Sequence, residues 1–166
     1  MPSEVRQIGS WQMAVDREAT QSVYDRLPSG IDCECNSCRN FSAVVSNMPE
    51  AVKEFFDSFG IDLSKPSEVY SFCAPENGCI LYGGFYHFVG EYLSGDDAWQ
   101  PMPKKRWFRK NTVKYIDPPE FYNISEGFDI GFTHSIGPVS EEFPELIVQM
   151  EISFTLPWVL DEPYED

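Results

Sequence analysis

Cys33, Cys35 and Cys38 place three thiols in one Cys-x-Cys-x-x-Cys array, the most concentrated chemical signal of the chain. Thiolates one and two residues apart converge on a soft cation when a tight turn brings their sulfurs within ~4 Å, at Zn–S distances near ~2.3 Å. Structural zinc takes four ligands, so the array needs one more. The expected set is Cys33, Cys35 and Cys38 with His87, and Cys73 and Cys79 are the alternatives for the fourth place. Cys73 and Cys79 are six positions apart, wider than a second Cys-x-x-Cys knuckle would be.

The same residues admit two other readings. Cys38 precedes Arg39 and an expected helix start, where the dipole and a cation lower a thiol's pKa. Cys35 and Cys38 would then act as a redox dithiol, although a thioredoxin-like pair should follow a strand of a βαβ unit. Alternatively the cysteines are small buried hydrophobes. That suits Cys73 and Cys79, which sit inside strand patterns. It suits the triplet less, because Asp32, Glu34 and Asn36 interleave it as in an exposed loop.

The two histidines read more simply. His87 lies among aromatics in Gly83-Gly84-Phe85-Tyr86-His87-Phe88-Val89-Gly90, and His134 shares the apolar side of a strand pattern. Both fit packed residues with satisfied hydrogen bonds. Glu91 could partner His87 as in a general base. The chain has no Gly-x-Ser-x-Gly elbow, no Gly-x-x-x-x-Gly-Lys loop and no His-Glu-x-x-His.

What must position these residues is one domain. A length of 166 residues fits a single core, and 42% apolar residues with 15% aromatics can fill it. No apolar run approaches the ~18 residues of a membrane span, and Met1-Pro2-Ser3-Glu4-Val5-Arg6 lacks a signal-peptide layout. An odd number of cysteines, five, cannot pair off completely. Together these lead to the expectation of a cytoplasmic protein. The net charge of −15 disfavours nucleic acid and anionic membrane and favours a basic protein partner. Half of the twelve Lys and Arg residues fall between Lys104 and Lys114, and none follows Lys114. In a chain this acidic, the band reads as cations laid against the acidic C-terminal strands rather than as a nucleic-acid patch.

Periodicity supplies the elements. Trp11, Met13 and Val15 alternate as in a half-buried strand, and Pro28-Ser29-Gly30 marks a turn. Phe41, Val44, Val45 and Met48 have helical spacing up to Pro49; Val52, Phe55, Phe56 and Phe59 give a second helix stopped by Gly60. Val69–Cys73 and Cys79–Leu93 read as strands, with a bulge or bend at Gly83-Gly84. A poorly alternating strand is expected from Arg106 to Val113. Phe128, Ile130, Phe132, His134 and Ile136 share one face of a strand. Leu146, Val148, Met150, Ile152, Phe154 and Leu156 share one face of another, with Gln149, Glu151, Ser153 and Thr155 directed to water. Residues 160–166 are expected to fray. The fold class that follows is α+β, a mainly antiparallel β-sheet with a helical pair near the N-terminal third.

Asp32-Cys33-x-Cys35-x-x-Cys38-Arg39-Asn40-Phe41, together with Gly84-Phe85-Tyr86-His87-Phe88-Val89-Gly90, resembles a family of uncharacterised bacterial proteins. The linking residues Phe55-Phe56, Gly60-Ile61-Asp62 and Lys65-Pro66-Ser67-Glu68-Val69 are similar too, so the likeness spans roughly residues 30 to 90. It implies a bacterial cytoplasmic origin and no particular activity. The expectation for function is an acidic binding or adaptor domain with a structural metal site at the cysteine loop. The alternative is a thiol-redox or zinc-dependent enzyme working through Cys35 and Cys38.

Overall fold

Alternation and helical spacing account for β2, α3, β4, β8 and β9, and the remaining elements are set by contacts between them. The computed structural model describes residues 3–101, 116–117 and 121–165. In chain order the elements are β1 (Glu4–Ile8), β2 (Trp11–Val15), α1 (Arg17–Arg26), α2 (Asn36–Val44), a 3₁₀ turn (Val45–Asn47) and α3 (Glu50–Asp57). Then come β3 (Glu68–Ser71), β4 (Cys79–Ser94), β5 (Gln100–Pro101), β6 (Ile116–Asp117), β7 (Tyr122–Ser125), β8 (Phe128–Thr133) and β9 (Ile147–Pro157). Seven strands form one antiparallel sheet in the order β1-β2-β4-β9-β8-β7, with β3 also on β4; β5 and β6 pair separately. The expected α+β class holds, with the helices near the N-terminal third.

β4 organises the sheet. One edge pairs along eleven register positions with β9, Cys79↔Pro157 to Val89↔Ile147. The other edge is shared: β3 takes Tyr82–Phe85 and β2 takes Gly90–Ser94. Between them the backbone groups of β4 are met by other partners. Tyr24 Oη donates to the His87 carbonyl (2.8 Å), Val89 N–H donates to Thr20 Oγ1 (2.9 Å), and Ser67 N–H donates to the Phe85 carbonyl (2.9 Å). Helix α1 therefore substitutes for a strand, as buried backbone polar groups require partners. Asp16 caps it, its Oδ1 accepting from Ala19 N–H at 3.0 Å. Neither α1 nor β1 follows from the apolar spacing above.

Even-numbered residues of β4 and β9 face the helices. Phe41 packs edge-on to Tyr82, Phe56 to Tyr86 and Phe154, and Phe59 to Phe88, at centroid distances of 5.4, 5.2, 5.9 and 5.0 Å. Val52, Phe56 and Phe59 are fully buried and Phe55 half-buried on the α3 stripe, and the β9 stripe is buried from Val148 to Leu156. Gly60 ends α3 at φ +81°, and a Cβ there would sit 2.4 Å from the Arg17 carbonyl oxygen, so glycine also lets α1 and α3 close up.

The opposite face departs from expectation in part, for Thr155 is exposed as expected and Ser153 is half-buried. Gln149 and Glu151 are buried, not directed to water, because residues far off in sequence cover them: Gly137 N–H reaches Gln149, and Trp99 hydrogen-bonds to Glu151. Gly83 and Gly84 make no bulge against β9, whose register runs through them unbroken. A Cβ on Gly83 would lie 2.5 Å from the Tyr70 ring, and one on Gly84 2.3 Å from the Glu68 carbonyl oxygen. The glycines are there for the close approach of β3. β8 ends at Thr133; its alternation breaks, so Thr133 is buried while His134 and Ile136 are exposed. Exposed His134 lies against the Tyr92 ring, centroids 3.9 Å apart. Leu146 precedes β9 and is exposed.

Two further expectations change. β3 ends at Ser71, so Cys73 lies outside it, and both Cys73 and Cys79 are exposed rather than buried. Residues 160–165 do not fray: Pro163 and Glu165 bond to Asn36, and Tyr164 packs on Trp158 with centroids 5.9 Å apart. The expected strand Arg106–Val113 and the basic band Lys104–Lys114 lie outside the described residues.

Candidate metal centre

The cysteine array sits where the chain turns into α2. Cys35 is the residue before the helix, and Cys38 is in its first turn. Helical geometry carries Cys38 back over the preceding residues. The Sγ atoms of Cys33, Cys35 and Cys38 consequently lie within 4.8 Å of one another. Cys33 Sγ is 3.1 Å from Cys35 Sγ, and Cys35 Sγ is 3.4 Å from Ser37 Oγ. Cys33 and Cys35 are exposed and Cys38 is buried, so the group has one anchored and two accessible sulfurs.

Asparagines fix the helix that presents them. Asn36 Nδ2 donates to the Pro163 carbonyl (2.6 Å) and Asn36 Oδ1 accepts from Glu165 N–H (3.3 Å). One turn on, Asn40 Nδ2 donates to the Pro157 carbonyl (3.0 Å) and Asn40 Oδ1 accepts from Val159 N–H (2.8 Å). Tyr82 Oη donates to the Ser37 carbonyl at 2.5 Å. Arg39 grips both Glu162 oxygens and donates through Nε to the Glu34 carbonyl (3.1 Å).

Proton affinity is uneven across the thiols. Burial raises Cys35, but hydrogen bonds from Ser37, Cys33 and Cys38 outweigh it and bring that thiol down to about 6. Burial pushes Cys38 far up, and its hydrogen bonds to Cys33 and Cys35 push it the same way. Of these two thiols, Cys35 therefore loses its proton first while Cys38 keeps its own. Three close soft donors of this kind fit a thiophilic cation such as zinc.

His87 is not brought to this group, nor are Cys73 and Cys79. Both ring nitrogens of His87 are occupied: Nδ1 lies 2.7 Å from Ser67 Oγ and Nε2 2.9 Å from Gln149 Oε1. Glu91, its expected partner, is exposed. The sequence therefore locates three of the four expected ligands together and misplaces the fourth. A His on a strand central to the sheet is held by its neighbours on that sheet, not by a loop beside a helix.

The network around His87 was not legible, and one backbone group orients all of it. Gly137 N–H donates to Gln149 Oε1 (2.6 Å), which identifies that atom as the oxygen of the amide. Gln149 Oε1 then accepts from His87 Nε2–H, so Nδ1 carries the lone pair and Ser67 Oγ–H donates to it. Gln149 Nε2 donates to Glu151 Oε1 at 2.7 Å. Burial holds the His87 pKa down at about 4 against the Gln149 hydrogen bond, so the ring is neutral. Burial raises Glu151; hydrogen bonds from Trp99 and Gln149 oppose it, and the Asp97 and Glu68 charges add to it.

A cavity of about 620 Å³ lies between the cysteine loop and this network. Its wall includes Cys33, Cys38, Lys65, Ser67 and Phe143. No helix of the described residues is long and apolar enough to cross a membrane. A scan against protein-family models found no match to the chain, and searches of curated proteins and of solved structures likewise returned none.

Proposed function

We propose that the chain is an acidic cytoplasmic binding domain whose loop 33–38 is a structural zinc centre. The observation that supports this is the convergence of three sulfurs within 4.8 Å on a helix start braced by Asn36, Asn40 and Arg39. Zinc would replace the three thiol protons and tie the residues before α2 to the helix itself. Among the described residues the group offers three ligands, so a water or a side chain of the partner completes the tetrahedron. The partner is a basic protein of the bacterial cytoplasm, as the charge of −15 and the cation-free stretch after Lys114 favour.

Zinc titration against a chromophoric chelator checks the centre. We expect about one zinc per chain, bound more weakly at lower pH because the thiols must lose protons. Cys38→Ser and Cys33→Ser should each abolish tight binding. Untagged protein that carries less than ~0.2 metal per chain and takes up none on zinc addition ends the reading. Capture of a basic partner should weaken steeply between low and physiological salt.

A thiol-redox reading has one observation in its favour, the 3.1 Å approach of Cys33 Sγ to Cys35 Sγ. That pairs Cys35 with Cys33 rather than with Cys38. Mild oxidant with thiol counting and peptide mapping separates the two: a zinc centre resists oxidation until chelator is added, whereas a redox pair loses two thiols at once.

A further inference from the structure

We propose that Ser67 is a base-activated nucleophile that hydrolyses esters seated in the 620 Å³ cavity, with His87 as its base. Three features meet at this residue. Ser67 is part-buried and is among the residues that line the cavity. Its Oγ lies 2.7 Å from the unprotonated Nδ1 of His87. The ring is held in that tautomer by Gln149, which is itself held by Gly137 N–H and Glu151. A nucleophile bonded to a base that a third group orients is the general signature of covalent acyl transfer.

The step balances without a further reagent. His87 Nδ1 takes the Ser67 hydroxyl proton as Ser67 Oγ bonds to the ester's carbonyl carbon. The carbon–oxygen bond to the alcohol breaks, and the alcohol leaves with the proton from Nδ1. Water then attacks the acyl-serine, again giving a proton to Nδ1, and the carboxylic acid departs as Ser67 Oγ recovers its hydrogen. Gln149 is a positioning residue: it touches no reacting atom and keeps Nδ1 free.

The wall indicates the substrate class. Leu27, Ile31, Val69, Val139 and Phe143 make it largely apolar, which suits an acyl chain. Asp32, Lys65 and Glu68 are its charged members, so a neutral or cationic ester is favoured over an anionic one. Lys65 is the cation among the described lining residues, its Nζ donating to the Tyr24 carbonyl at 2.7 Å and lying 3.9 Å from Asp62 Oδ2.

A fluorophosphonate probe on the full-length protein tests this, because it marks activated serines and avoids the background that exposed cysteines give with nitrophenyl esters. We expect covalent addition at Ser67, located by peptide mass, with the rate reduced roughly 10²-fold or more in His87→Gln. An unlabelled Ser67 in the native chain overturns the proposal, and so does equal labelling of Ser67 in His87→Gln. If His87→Gln does not fold, the pH profile of the native chain replaces it. Labelling at pH 6 should stay within about twofold of its rate at pH 8, because His87 is unprotonated at both. Labelling that falls roughly tenfold or more between pH 8 and pH 6 overturns the proposal. Labelling should survive chelator, which separates this chemistry from the zinc centre.

Discussion

Around Tyr86–Phe88 and Gln149–Glu151 the two faces of the β4–β9 pair are both covered, by opposite means, while toward Cys79 and Thr155 the second face stays open to water. On the helix side Tyr82, Tyr86, Phe88, Met150 and Phe154 meet Phe41, Phe56 and Phe59, and rings fill volume without needing fixed directions. On the other side His87, Gln149 and Glu151 form a directed chain in which each group's role follows from its neighbour's. No buried side-chain polar atom among the described residues lacks a partner. The difference teaches that apolar faces tolerate repacking, whereas a polar interior fails as a unit when one member goes.

The largest break should come on the apolar face. Phe56→Ala removes a ring that touches both Tyr86 and Phe154, and we expect a loss of about 4 kcal/mol in denaturant unfolding. Gln149→Leu preserves bulk but strands His87 Nε2–H, Gly137 N–H and Glu151, which should cost about 3 kcal/mol. A near-neutral result there would show that the second face behaves like the first.

Acid should separate the faces next. The neutral His87, with a folded pKa near 4 against 6.5, binds its proton later than the unfolded chain does. Its stabilisation is complete above pH 6.5 and is lost as pH falls toward 4, about 2 kcal/mol between pH 7 and 5. Glu151, raised above 4.5, acts in the opposite sense: its contribution is full below 4.5 and is lost as pH rises through its folded value. His87→Gln should abolish the His87 part of the profile, which paired urea titrations at pH 7 and 5 would read. Smallest of all, Cys73→Ser and Cys79→Ser should change stability by less than ~0.5 kcal/mol and leave zinc stoichiometry unchanged, because both side chains are exposed.

Period-two alternation made β2, β8 and β9 legible, and helical spacing made α3 so. What alternation cannot reveal is whether a strand's second face is covered. Gln149 and Glu151 look like water-facing residues until the loops carrying Gly137 and Trp99 fold over them. Helix α1 is short of apolar residues and is held instead by Thr20 and Tyr24 bonding to β4, a contact with no sequence period. The cysteine loop was legible because its spacing is local. Ser67 was not, because it precedes β3 and its partner lies twenty positions on, in β4.

Asn36 in the first turn of α2 is bonded to Pro163, 127 positions away. Whatever clips residues 159–165 from this chain releases the far end of a clamp whose jaws are Cys33 and Cys38. If the proposed centre holds zinc, proteolytic trimming at that end should first appear as loss of that zinc, with the aromatic interior still intact.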